Sequence, residues 1–141
     1  MTAMQQIAMT SFASKVVGKP FEWGNTDCCS LAIDCFDHIR GTNYKQGELI
    51  KSIKDKESAL KLCEERTALE ILNQNNFVEI PLSEASKGDI IYFFTEGFES
   101  INICYGESCL SSSEENGVRF TATKFVLKFV KDEGRCFRWK Q

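Results

Sequence analysis

Apolar residues recur at helical spacing through the first half of the chain and at strand spacing through the second. Met4, Ile7, Ala8, Phe12 and Val16 lie three or four residues apart, which predicts an amphipathic helix over 2–17 ended by Gly18 and Pro20. Leu31, Ala32, Cys35 and Phe36 predict a second helix over 28–40, with Thr26 or Asp27 as its N-cap and Gly41 as its stop. Cys28, Leu31 and Cys35 share one side of it, so it should be largely buried. Residues 42–56 are polar, are interrupted by Gly47 and read as a loop with one turn of helix. Leu60, Leu62 and Cys63 predict a third helix from Glu57, and Leu69, Ile71 and Leu72 a fourth from Thr67, closed by Asn73-Gln74-Asn75-Asn76.

After Phe77, Val78 and Ile80, a short extended run stopped by Pro81, the period changes. Strands are predicted over 88–95 and 101–105 around a turn at Gly97, over 107–112 and 118–121, and over 136–139. Phe125, Val126, Phe129 and Val130 are spaced for a short helix over 123–131. Helices first and a meander of strands second is an α+β order in a single domain, 1–141.

A chain of 141 residues with 43% apolar content can bury an ordinary core without metals or disulfides. The net charge of −3 and the scattering of Lys and Arg exclude nucleic acid as the main ligand. Clusters such as Lys54-Asp55-Lys56-Glu57 and Glu64-Glu65-Arg66 read as solvated helix faces. Seven cysteines is a high and odd number. The first ten residues lack the basic and apolar regions of a signal peptide, so the expectation is reduced thiols in a cytoplasm, most of them small core residues. Cys104 and Cys109 are separated by four residues, and no Cys-x-x-Cys or Cys-plus-His spacing occurs, so neither a metal site nor a cofactor is expected. The apolar runs are too short to span a membrane.

The stretch 18–36 is the most informative. Two glycines and a proline bracket Phe21 and Trp23 and lead through Thr26-Asp27 into a helix that starts on Cys28. A thiol in a first helical turn meets unpaired N–H groups and the positive end of the helix dipole, which favour a thiolate. Gly18, Pro20, Phe21, Trp23, Gly24, Asp27, Cys28 and Leu31 fall on the Gly-x-Pro-Tyr-x-Trp-Gly…Asp-Cys-Ser-Gly-Leu signature of the NlpC-type cysteine peptidases of cell walls, with Cys29 and Ser30 where Ser-Gly usually stands. A second block, Gly88-Asp89-Ile90-Ile91-Tyr92-Phe93 followed by Ser100-Ile101-Asn102-Ile103, resembles the family's Gly-Asp strand and the strand after it. The resemblance implies a papain-like fold, N-terminal helices on a C-terminal antiparallel sheet, with Cys28 at the nucleophile position and Ser100 where the family has histidine. With its ending at Phe137-Arg138-Trp139, the chain resembles the divergent NlpC-like proteins encoded by tailed bacteriophages.

A cysteine peptidase needs a base beside its thiol. The only histidine, His38, is ten residues along the same helix, about 15 Å at 1.5 Å per residue, where it cannot reach Cys28 and instead suits the helix C-terminus. Glu99, Glu107 and Asp89 are weak partners for a thiol, and Cys28 and Cys29, about 100° apart on a helix, bridge only with strain. Phe21, Trp23, Gly24, Asp27, Gly88 and Asp89 have structural roles open to them: capping the core, making turns and capping the Cys28 helix.

Two functions from different classes follow from the resemblance. One is a virion protein of a tail or tail tip, made in the host cytoplasm, that contacts other virion proteins in multiple copies through a catalytically silent fold. The other is an active thiol hydrolase of peptidoglycan using Cys28. A host-directed regulator is a third possibility without a specific handle. The N-terminal helix and the segment 137–139 are the candidate docking surfaces, since apolar residues lie near both ends.

Overall fold

In the computed structural model, which describes residues 1–141, every predicted helix and strand is present, several with shifted ends. Helix α1 is Ala3–Val16, begun by a capping box. The Thr2 hydroxyl accepts the Gln5 N–H at 3.1 Å and the Gln5 side chain accepts the Thr2 N–H at 2.9 Å. Its buried face differs from the one predicted. Met9, Phe12, Ala13 and Val16 face inward, whereas Met4 is 78% and Ile7 67% exposed. The stripe 9, 12, 13, 16 satisfies the helical period as well as 4, 7, 8, 12, 16 does, and only the second half of α1 is covered.

Helix α2, Cys28–Arg40, buries Leu31, Cys35, Phe36 and Ile39 and ends at Gly41, whose φ of +70° is the left-handed C-terminal stop. Residues 42–56 are more ordered than a loop: they hold a 3-10 turn, Tyr44–Gln46, and a short helix α3, Glu48–Lys51. The organiser is Asp37, a buried carboxylate near the end of α2. It accepts the Thr42 hydroxyl at 2.6 Å and the N–H groups of Tyr44 and Lys45 at 3.0 and 2.8 Å. A polar stretch thus acquires a fixed path from one buried anion.

Helices α4, Lys56–Glu64, and α5, Thr67–Gln74, are followed by strands β1, Phe77–Ile80, β2, Ile90–Thr95, β3, Phe98–Cys104, β4, Ser108–Ser113, and β5, Gly117–Ala122. Helix α6, Thr123–Val130, and strand β6, Arg135–Trp139, complete the chain. The six strands form one antiparallel sheet in the order β1-β6-β2-β3-β4-β5. The architecture is α+β, N-terminal helices followed by an antiparallel sheet.

By packing, the chain divides into two compact units, Met1–Ala59 with Ser112–Arg119, and Leu60–Ser111 with Phe120–Gln141. In the first, the connection after α1 pairs with residue 118: Gly18 N–H donates to the Val118 carbonyl and Val118 N–H to the Lys19 carbonyl, each at 2.9 Å. Gly117, at φ +67°, is required there, because a Cβ would lie 2.4 Å from the Lys19 carbonyl oxygen. In the second unit, Ile91, Phe93, Cys104, Cys109 and Cys136 pack with Val126 and Val130 of α6.

One apolar expectation in the second unit is corrected. Phe137 is not available to a docking surface at 137–139: it is 1% exposed because β6 lies between β1 and β2, with Phe137 opposite both Glu79 and Ile90, while Arg138 and Trp139 are half-buried. The last strand in sequence is central in space, and short-range pattern does not report that. In α6, the inward residues are Val126 and Val130, while Phe125 and Phe129 are 61% and 65% exposed. Both pairs have the helical spacing, and the sheet accepts the smaller, branched one.

Candidate functional site

The turn ahead of α2 is built from side chains that answer backbone groups. The Glu22 carbonyl accepts the N–H groups of Asn25, Thr26 and Asp27 at 2.9–3.1 Å. Buried Thr26 donates its hydroxyl to the Pro20 carbonyl and accepts the Glu22 N–H, both at 2.7 Å. Gly24 has φ +78°, and a Cβ there would be 2.4 Å from the Ile53 carbonyl oxygen, so no other residue fits without displacing backbone. Phe21 and Trp23 are half-buried and meet edge to face with centroids 4.7 Å apart. Lys45 holds the turn from outside, its ammonium 2.9 Å from both the Asn25 side-chain oxygen and Asp34.

Asp27 is the N-cap of α2 and is 5% exposed. Its carboxylate accepts the Ser30 N–H at 3.0 Å, the Ser30 hydroxyl at 2.7 Å and the Gly24 N–H at 2.7 Å. One anion therefore stitches the glycine turn to the first turn of the helix and sits at the positive end of the dipole. Ser30, which stands where the resembled signature has glycine, is the partner that uses Asp27's remaining capacity.

Cys28 and Cys29 open α2, and both are half-buried thiols. His38 lies on the same unbroken helix and is engaged there: its Nδ1 is 2.9 Å from the Asp34 carbonyl and 3.5 Å from the Asp34 carboxylate, and its ring is 5.2 Å from that of Phe12. Ten residues of continuous helix, about 15 Å of rise, separate it from Cys28. It does not act on that thiol.

Ser100 belongs to the second unit, half-buried on β3 opposite Phe93. Its neighbour Glu99 is buried and committed. The Glu99 carboxylate accepts the Tyr92 hydroxyl at 2.6 Å and the N–H groups of Ala68 and Leu69, at the start of α5, at 3.0 and 3.1 Å. Arg66, just before α5 and at φ 56°, lays its guanidinium 3.3 Å from the Phe94 ring centroid. Burial and the bond to Glu99 hold the Tyr92 phenol well above its usual range. Because that shift favours the protonated form, its stabilisation is full below about pH 10, the usual phenol value, and is lost as pH climbs beyond it. Tyr92→Phe is expected to remove the most alkaline component of the tyrosine absorbance titration and to cost about 1–2 kcal/mol at neutral pH, measured by urea unfolding.

Asp89 is 1% exposed and is also committed. It accepts the Ser86 N–H at 2.9 Å and two donors of Arg138, Nε at 3.0 Å and Nη2 at 2.9 Å. This forked charge pair fastens β6 to the turn ahead of β2. Gly88, at φ +97°, donates its N–H to the Cys104 carbonyl in that turn. Glu107 is exposed at a hairpin tip, where its carbonyl accepts the Thr123 N–H at 2.8 Å.

The roles of Tyr92 and Arg138 escape a linear reading, and Thr26, offered as an alternative N-cap, instead ties Glu22 to Pro20. A signal for Glu99 does exist, since it falls in phase with Ile101 and Ile103 on the inward side of β3, where a charge must find partners. No group of three or more His, Cys, Asp or Glu is placed to hold a metal ion, and no helix is long and apolar enough to cross a membrane. The model of a family described as a domain of unknown function, DUF6950, matches residues 3–129. No curated protein matches the chain.

Proposed function

We propose, for a chain that belongs to the DUF6950 family, a structural role: an interaction protein of a tailed-bacteriophage virion, at the tail or its tip, built on a catalytically silent NlpC-like, papain-type fold. The observation that carries this reading is the placement of the only histidine, His38, ten residues along α2 from Cys28. By the resemblance to the NlpC-type signature Ser100 stands where that signature has histidine, and His38 is bound to Asp34 near the far end of α2. Removing the base from a nucleophile–base unit lowers rate by several orders of magnitude. The order of helices and antiparallel sheet agrees with the papain-like expectation in class and supports it.

The signature residues have sufficient reason to be present without chemistry. Asp27 and Gly24 build the turn and the start of α2. Asp89 pairs with Arg138. The partners would be other virion proteins, met in multiple copies in the host cytoplasm where the chain is made. Met4 and Ile7, exposed on the first two turns of α1, are the apolar contacts that the segment 1–17 offers.

A second reading, a cysteine hydrolase cutting peptidoglycan, draws on one observation, the half-buried Cys28 thiol in the first turn of α2. Two measurements separate them. Mass spectrometry of purified phage particles should find this chain in the tail fraction, and purified protein should release no more peptide from peptidoglycan than its Cys28→Ser variant. Absence from the particles would remove the virion role, and release that depends on Cys28 would establish the hydrolase.

A further inference from the structure

Strands β3 and β4 are joined by a two-residue turn, Gly106-Glu107, with Gly106 at φ +103°. The pair closing the turn is hydrogen-bonded, Tyr105 N–H donating to the Ser108 carbonyl at 2.8 Å. The next pair is Cys104 opposite Cys109. Cys104 spends its backbone groups on the other side, its N–H on the Asp89 carbonyl and its carbonyl on the Gly88 N–H, both at 2.8 Å. Cys104 and Cys109 are therefore a non-hydrogen-bonded cross-strand pair, side chains on one face. Such pairs have Cα atoms about 4.5 Å apart, inside the range of about 4.4–6.8 Å that a disulfide spans.

Both thiols are completely buried, in a core shared with Cys136. The Cys104 thiol donates to the Gly106 carbonyl at 3.5 Å, and the Thr123 hydroxyl lies 3.4 Å from the Cys109 sulfur while donating to the same carbonyl at 2.6 Å. The mutual influence of the two sulfurs lowers the Cys104 thiol from its ordinary range and raises the Cys109 thiol. Burial raises the third thiol, Cys136, to about 12, so it keeps its proton. Of the two, Cys104 is the sulfur favoured toward the thiolate and Cys109 the one favoured to keep its proton.

From this register we infer that Cys104 and Cys109 are a redox pair, an unassigned modification site that closes to a cross-strand disulfide on meeting a small peroxide. The Cys104 thiolate attacks one peroxide oxygen and the O–O bond breaks, leaving a sulfenic acid on Cys104 and hydroxide, which becomes water with the proton that Cys104 gave up. The Cys109 sulfur then attacks the Cys104 sulfur: the S–S bond forms, the S–O bond breaks, and the departing hydroxide leaves as water with the Cys109 proton. Two thiols are oxidised, and one hydrogen peroxide is reduced to two waters. Access comes by opening the start of α6, where the Thr123 hydroxyl and N–H hold the Gly106 and Glu107 carbonyls. The site lies in the second unit, and its chemistry does not depend on the virion role.

The test uses the full chain and hydrogen peroxide, followed by unfolding, alkylation and tryptic digestion. The peptide from Gly88 to Arg119 contains Cys104 and Cys109 and no other cysteine. Its mass is expected to fall by two hydrogens, and it should take no alkyl group until dithiothreitol is added, when it takes two. In Cys109→Ala the same peptide should gain oxygen on Cys104 instead of losing hydrogens. A wild-type peptide that still takes two alkyl groups after other cysteines have oxidised, or that accumulates only Cys104 sulfinic acid, would overturn the pairing whether or not the variant folds.

Discussion

Asp27→Ala is expected to destabilise the protein by about 3 kcal/mol, through loss of an N-cap at up to about 2 kcal/mol and stranding of partner groups at about 1–3 kcal/mol. Asp27 is 5% exposed and its carboxylate satisfies the Gly24 N–H, the Ser30 N–H and the Ser30 hydroxyl together. Alanine leaves all three without that partner in a place water scarcely reaches. The midpoint of thermal unfolding should fall by roughly 10 °C for a chain of this size. Asp27→Asn, which keeps an oxygen acceptor but not the charge at the dipole end, should recover about half of the loss. A melting temperature unchanged in Asp27→Ala would mean that the aspartate of the signature is not there for the fold.

Arg138→Ala should cost a similar amount, about 3 kcal/mol, at the lower end of the range for stranding a buried charge because the arginine itself is partly exposed. The loss originates at Asp89, which is 1% exposed and would retain its bonds from the Ser86 turn and a long one, 4.0 Å, from the Cys136 thiol. Arg138 also donates through Nη2 to the Glu84 carbonyl at 3.1 Å and the Ser86 hydroxyl at 3.0 Å, so its removal loosens that turn as well. Lysine cannot reproduce the fork, and Arg138→Lys should restore less than half. Adding Asp89→Asn to Arg138→Ala should recover part of the deficit by removing the stranded charge. Urea unfolding of the two single variants and the double variant measures the coupling, and additive losses would contradict it.

The contrast between these residues explains what the chain discloses before folding. The turn 18–27 and the cap on α2 are legible because their partners are close in sequence: Asp27 reaches back to Gly24 and forward to Ser30. The same holds for Gly41 after α2 and Gly97 between β2 and β3, where a left-handed backbone selects glycine. Asp89 with Arg138, and Glu99 with Ala68, Leu69 and Tyr92, depend on sheet order and helix placement, which no local period encodes. β6 entering between β1 and β2 is the clearest case, since it turns Phe137 from a terminal aromatic into core. In α1 and α6 the helices are legible but their inward faces are not, because each sequence offers two apolar stripes and only packing selects one.

Among the residues weighed as chemistry, the geometry leaves Cys28 as the one in question. Asp27, Asp89 and Glu99 have structural partners, and His38 is bound near the opposite end of α2. The most direct measurement of silence is the rate of alkylation of Cys28 in the native protein between pH 5 and 9, with Cys28→Ser identifying its share of the label. A scaffold without a base predicts labelling at neutral pH no faster than that of a small free thiol, and no plateau in rate on the acidic side. Labelling much faster than a free thiol, already at its plateau below pH 7 and abolished in Cys28→Ser, would contradict the silent fold and make Cys28 a nucleophile.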